Sequence, residues 1–311
     1  MNPFDQDPSQ QPDNAPGPEN TSTAGWSSAP AERLGGDPFS SASPSPALPL
    51  QPEPGYPEDL QISWSWVHFI VLLFFGIVSL VMIQGGLAVH YLPAHKKLTP
   101  QQMESFLLSK PQFAIGSMLI WYAAIFFFLY VTLSVLRGHL FWQCLGWRKI
   151  IQKNPGQPRN PLIYLFAGCA LSIFVAILTS RLKAPENLPV EELFKFRNTA
   201  LLFMAMAVLV APLVEETLFR GYLYPLFARS FGVAPGILLT GVLFGFMHGA
   251  QLGWTWSLVA TLSFVGIVFT FVRARTGSVF ASYLMHLGYN SLIAVAAIVS
   301  THGFTKMPPG H

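Results

Sequence analysis

Formal charge disappears from this chain in long blocks. No Asp, Glu, Lys or Arg occurs in 60–95, 111–136, 160–180, 198–214, 230–272 or 276–305, stretches of 36, 26, 21, 17, 43 and 30 residues. At 1.5 Å rise per residue, a helix needs about 20 mostly apolar residues to cross the hydrocarbon core of a bilayer. Four of the stretches accommodate one span each, the 17-residue stretch extends past its charged end, and the 43-residue stretch makes two, broken near Gly249–Gly253. The pattern predicts seven helices, near 65–91, 113–136, 161–180, 198–220, 236–249, 254–272 and 278–300. An eighth arises if 236–249 is re-entrant or if the first stretch breaks at Gly85-Gly86. The expected fold class is all-α: a polytopic transmembrane helix bundle of seven to eight spans.

Composition agrees. The 311 residues are 51% hydrophobic and only 11% charged, where a soluble domain carries about 25% charged residues. A soluble enzyme with a large core is excluded. So is nucleic-acid binding, because a net charge of +3 spread over scattered Lys and Arg builds no basic face. Two cysteines, Cys144 and Cys169, without a CxxC motif, make neither a disulfide framework nor a cysteine-based zinc site.

The first 59 residues follow other rules. They hold 13 of the 26 prolines and 9 of the 15 acids, with Arg33 as their one basic residue. Such a segment, net charge −8, buries too little apolar surface to fold and is expected to be a disordered, solvated tail. The expected organisation is 1–59 tail, 60–197 N-terminal membrane helices, 198–300 catalytic core and 301–311 C-terminal tail. No basic-then-apolar leader stands at the start, so no cleavable signal peptide is expected and the first membrane helix directs insertion. With seven spans and the tail inside, ten Lys and Arg face the tail's side and eight the other, a slight preference for a cytoplasmic amino terminus.

Ionisable groups inside membrane helices cost about 2.5–3.5 kcal/mol each on insertion scales and usually mark a site facing the bundle interior. Three groups qualify. Glu215-Glu216 precede Arg220 in Ala-Pro-Leu-Val-Glu-Glu-Thr-Leu-Phe-Arg-Gly. Glu216 and Arg220, four apart, share a helical face and can pair. Glu215 points about 100° away and lacks that partner, so one carboxylate is tied structurally and one is left for chemistry. The bland reading is a helix end at the membrane boundary. His248 follows Phe244 by four positions in Phe-Gly-Phe-Met-His-Gly; taken alone, it is more often a packing residue than a ligand. His286 and Asn290, again four apart, stack on one face within 276–305, and the competing reading is hydrogen-bonded glue between helices.

The order Glu-Glu-x-x-x-Arg, Phe-x-x-x-His, His-x-x-x-Asn on successive apolar segments resembles the CPBP family, the CAAX proteases and bacteriocin-processing proteins, also called the Abi family or type II CAAX prenyl endopeptidases. The resemblance covers about 198–300. It implies an intramembrane endopeptidase in which Glu215 and His248 activate a water molecule, with Glu215 the base. His286 and Asn290 would stabilise the oxyanion or help hold the water, Glu216 and Arg220 would lock the geometry, and Phe244 would pack. The cofactor stays open. Glu215, His248 and His286 could hold a divalent metal such as zinc, and the same side chains could work as a metal-free glutamate site. No His-Glu-x-x-His and no Gly-x-Ser-x-Gly is present.

The implied partners are the lipid bilayer and a membrane-embedded peptide or protein substrate, prenylated or not. The implied location is a bacterial inner membrane. Two other classes compete: a non-proteolytic immunity-type or scaffold protein that binds a partner through the same cavity, and a proton-coupled transporter. The second lacks a repeated Glu-Glu motif in another half of the chain.

Overall fold

The computed structural model describes residues 57–305 except 92–98, 100, 101, 104, 105, 108, 109, 151–154, 182–187 and 195. The expected tail lies outside the described residues except for Pro57–Asp59, and the C-terminal tail does so beyond Thr305.

All regular structure among the described residues is helical. Helix α1 is Trp66–Tyr91, α2 is Pro111–Tyr130 with a π-helical end at Val131–Val135, and α3 is a single turn, Phe141–Cys144. Next come α4 (Pro161–Thr179), α5 (Arg197–Leu209) and α6 (Ala211–Glu215), then a π-helical stretch, Glu216–Leu223. The remainder is α7 (Tyr224–Phe231), α8 (Val233–Met247), α9 (Trp256–Thr276) and α10 (Val279–Ser300). Among the described residues, six segments are long and apolar enough to cross a membrane: 66–91, 115–135, 161–179, 197–231, 256–276 and 279–300. The chain is an integral, multi-pass membrane protein.

Two expected boundaries move. Helix α1 runs unbroken through Gly85-Gly86, so no extra helix arises there. The span expected over 198–220 belongs instead to a 35-residue run, Arg197–Phe231, and its prolines explain its irregularity. Pro212 sits in the first turn of α6, where a missing N–H costs nothing. Pro225 follows Tyr224, whose N–H donates to the Phe219 carbonyl five residues back, the widened π pattern that often occurs at functional sites. Helix α8 has only 15 residues, about 22 Å of rise against the roughly 30 Å hydrocarbon core.

Glycines set how closely the helices approach. A Cβ on Gly168 of α4 would strike the Met285 carbonyl of α10, and one on Gly288 would strike the Leu165 carbonyl in return. Gly241, Gly245 and Gly266 do the same between α8 and α9. Gly116 on α2, by contrast, has nothing within 4 Å of an added Cβ.

A short strap precedes α1. Leu60 is buried against Tyr224 and Ala228, and Asp59 receives Arg273 Nη1 on its carboxylate at 3.2 Å and Nη2 on its carbonyl at 3.0 Å. Trp64 stacks on Tyr222, with centroids 5.0 Å apart, and donates to its carbonyl at 3.1 Å. Arg229 and Arg137 donate to the carbonyls of Ile62 and Ser63. The expected boundary after residue 59 therefore falls inside a docked segment. Trp64 is a core residue, only 4% exposed.

Candidate active site

The π-helical stretch carries two side chains that would be ruinous if unpaired. Glu216 and Arg220 are both fully buried. Arg220 Nη1 donates to Glu216 Oε1 at 2.9 Å, Nη2 to the Gly266 carbonyl at 2.9 Å, and Nε to Thr270 Oγ1 at 3.3 Å. The guanidinium also lies over the Phe244 ring, 4.5 Å from its centroid. Burying such a pair is tolerable only when the remaining donors are satisfied, and here α9 supplies the acceptors.

The pair fixes a histidine in turn. His286 Nδ1 lies 2.9 Å from Glu216 Oε1. A carboxylate only accepts, so Nδ1 carries the proton and donates. Nε2 is then directed away from Glu216, toward Glu215 Oε2 at 3.7 Å. His248 is held in the same manner from α8. Its Nδ1 donates to the Phe244 carbonyl at 2.8 Å, which turns Nε2 toward Glu215 Oε1 at 3.9 Å. Glu215 thus stands between two imidazole nitrogens, each tautomer set by its far-side partner. These separations are too long for direct hydrogen bonds, so the three groups are free to share a water molecule.

Glu215, His248, His286, Asn290 and Phe244 line one cavity of about 200 Å³, walled otherwise by apolar groups including Met118, Phe203 and Val265. Asn290 reaches the same space but is engaged, its Nδ2 donating to the Ala207 carbonyl at 2.8 Å, near the end of α5. One of its two amide hydrogens remains for another acceptor. Phe244 packs edge-on to Phe219 and His286. All seven side chains singled out by sequence thus lie in or directly beneath one cavity.

Several supports carry no sequence signal. The Gly266 carbonyl is backbone, and Thr270 is one hydroxyl among many. Trp147 Nε1 donates to Thr217 Oγ1 at 3.0 Å, and His68 Nδ1 meets the Tyr222 hydroxyl at 2.6 Å. Both brace the π-helical stretch from outside it. Gln251, at the turn after His248, also lines the cavity.

Glu215, His248 and His286 are the donor types that zinc takes. Among the described residues, however, no three His, Cys, Asp or Glu side chains are grouped so as to hold an ion.

Fold and site together define a helical membrane protein with an acid–imidazole cavity inside its bundle. Residues 197–292 match the family model described as type II CAAX prenyl endopeptidase Rce1-like, which bears out the resemblance over that segment. An uncharacterized 24.3 kDa protein of Escherichia coli is 26% identical over 173 residues, 53% of this chain and 79% of that protein. No solved structure matches.

Proposed function

We propose that the chain is an intramembrane endopeptidase that hydrolyses a peptide bond in a membrane-associated protein or peptide, with Glu215 as the general base. The observation that carries the reading is Glu215 flanked by His248 Nε2 and His286 Nε2 at 3.9 and 3.7 Å in a cavity inside the bundle. A water between them gives its proton to Glu215 as its oxygen attacks the substrate carbonyl, while His248 Nε2 accepts the water's other hydrogen as a hydrogen bond. The carbonyl π electrons move to oxygen. That oxyanion needs donors: the second amide hydrogen of Asn290 supplies one, and His286 supplies the other in its imidazolium form, with a solvent-derived proton on Nε2 while Nδ1–H stays on Glu216. Protonated Glu215 then returns the proton to the leaving nitrogen as the C–N bond breaks, which leaves a carboxylic acid and an amine.

The apolar walls suit a substrate that arrives from the membrane plane, and they keep the polar groups preorganised away from bulk water. A CAAX-like or prenylated C-terminus is the substrate class the family suggests, and a bacterial inner membrane is the location proposed. The deciding experiment compares new peptide termini by mass spectrometry in host membranes carrying wild type or Glu215→Gln. Termini that vanish in the variant support the protease and identify its substrate. Identical profiles with equal amounts of folded protein would overturn it.

A further inference from the structure

A second cavity, of about 430 Å³, lies beside the start of α4 and is lined by Arg148, Lys149 and Arg159 over Trp147, Ile150 and Phe280. Lys149 and Arg159 are exposed, and no carboxylate among the described residues pairs with either. Arg148 pairs with Glu58 at 3.0 Å, but the Glu58 side chain is 90% exposed, and an ion pair so open to water is weak and displaceable. The first amides of α4 add little, because Asn160 already takes the Leu162 N–H on its side chain and the Ile163 N–H on its carbonyl. Anion binding here must therefore come from the three cations.

The surroundings indicate what the anion is attached to. Following Pro161, which lines the cavity, Leu162, Ile163 and Phe166 of α4 are 55%, 47% and 65% exposed, an apolar face on a helix long and apolar enough to cross a membrane. The same end of the bundle gathers other cations, among them Arg137 and Arg229 on the strap and Arg275 beside Gln157. Arg220, which the chain pattern counts with the loops, is buried inside. Along the whole chain Lys and Arg slightly favour the tail's side, which places this end toward the cytoplasm under the positive-inside rule, where anionic lipids meet basic pockets between helices.

We propose that this cavity is a binding site for the phosphate-bearing headgroup of an anionic phospholipid, with Arg148, Lys149 and Arg159 on the headgroup and the acyl chains along α4. Trp147 lines the site and also donates to Thr217 beside Glu216, so the occupied pocket abuts the stretch that carries the acid–imidazole cluster. The proposal does not depend on proteolysis.

The test uses the full-length protein in nanodiscs of phosphatidylcholine with or without phosphatidylglycerol, with retained lipid read by native mass spectrometry. Wild type should retain phosphatidylglycerol preferentially, and Lys149→Gln/Arg159→Gln should weaken that preference about tenfold or more, as expected from removing two surface charges. Both residues are exposed, so the variant should fold. Glu58→Gln should strengthen retention by freeing Arg148, whereas Arg275→Gln, outside the pocket, should leave it unchanged. No preference in wild type, an unchanged preference in the double variant, or an equal loss in Arg275→Gln would each overturn the site. Displacement of the lipid by inorganic phosphate at millimolar concentration would show that the ligand is a free anion and overturn the lipid assignment.

Discussion

His286 Nδ1 lies 2.9 Å from Glu216 Oε1, and that carboxylate is entirely out of solvent. The contact makes Glu216 the hinge of the site, because the same oxygen accepts from Arg220 Nη1 at 2.9 Å. Replacing Glu216 with Gln keeps shape and an acceptor but leaves Arg220 as an uncompensated buried charge. The expected cost is about 3–5 kcal/mol, visible as a lowered unfolding temperature in detergent. Arg220→Met in the Glu216→Gln background should restore much of that loss, since it removes the orphaned charge. A double variant as unstable as the sum of the singles would show that the pair is not the structural lock.

Glu215 should behave in the opposite way. Its side chain is 16% exposed and stands 3.7 and 3.9 Å from its histidine neighbours, so Glu215→Gln should leave thermal stability nearly unchanged. As the base, its loss should lower turnover by about 10²–10⁴-fold. Adjacent carboxylates with separate fates are the prediction, and a stable, fully active Glu215→Gln protein would remove Glu215 from the chemistry.

The Glu216–Arg220 pair was legible in the sequence, because four-residue spacing puts the two on one helical face and turns Glu215 away. The span pattern was equally plain, since charge-free stretches mark helices whatever their partners. What could not be read came from long-range contacts. Gly266 holds Arg220 with a backbone carbonyl, Trp147 braces Thr217 across 70 positions, and Trp64 looks like an interfacial aromatic until Tyr222 is found beneath it. The widened helix at Glu216–Leu223 also has no signature beyond Pro225. Asn290 is the instructive middle case, placed at the cavity by spacing yet tied to Ala207 by a bond that spacing does not suggest.

That bond sets two roles for Asn290 against each other. As glue between α10 and α5, its loss in Asn290→Ala should lower stability and leave kcat of the folded protein intact. As an oxyanion donor, its loss should cut kcat by about 10²–10³-fold with little change in KM. The second outcome is expected, and the split between unfolding temperature and kcat decides it.

Metal dependence is tested by removal and by addition. With water activated by Glu215 alone, dialysis against a strong chelator should leave the cleavage rate unchanged. Added zinc should likewise change it little, because Glu215, His248 and His286 are not grouped so as to hold an ion. Loss of activity on chelation, restored by zinc, would reverse the assignment and make Glu215 a ligand.

The strap gives the last prediction. Removing residues 1–56 leaves every described contact of the strap in place, and both stability and cleavage should persist. Removing 1–64 takes away Asp59, Leu60 and Trp64 together. Arg273, only 1% exposed, would then keep its charge without the carboxylate and carbonyl it donates to at 3.2 and 3.0 Å, and Tyr222 would lose its stacked neighbour. The expected destabilisation is again about 3–5 kcal/mol for the broken buried pair. Because Arg273 and the Arg220 acceptors Gly266 and Thr270 lie on the same helix, cleavage should fall with stability. Arg273→Met in the shortened chain separates the causes: it should recover most of the stability if the orphaned charge is responsible, and none of it if the loss comes from the missing Trp64 and Leu60 packing.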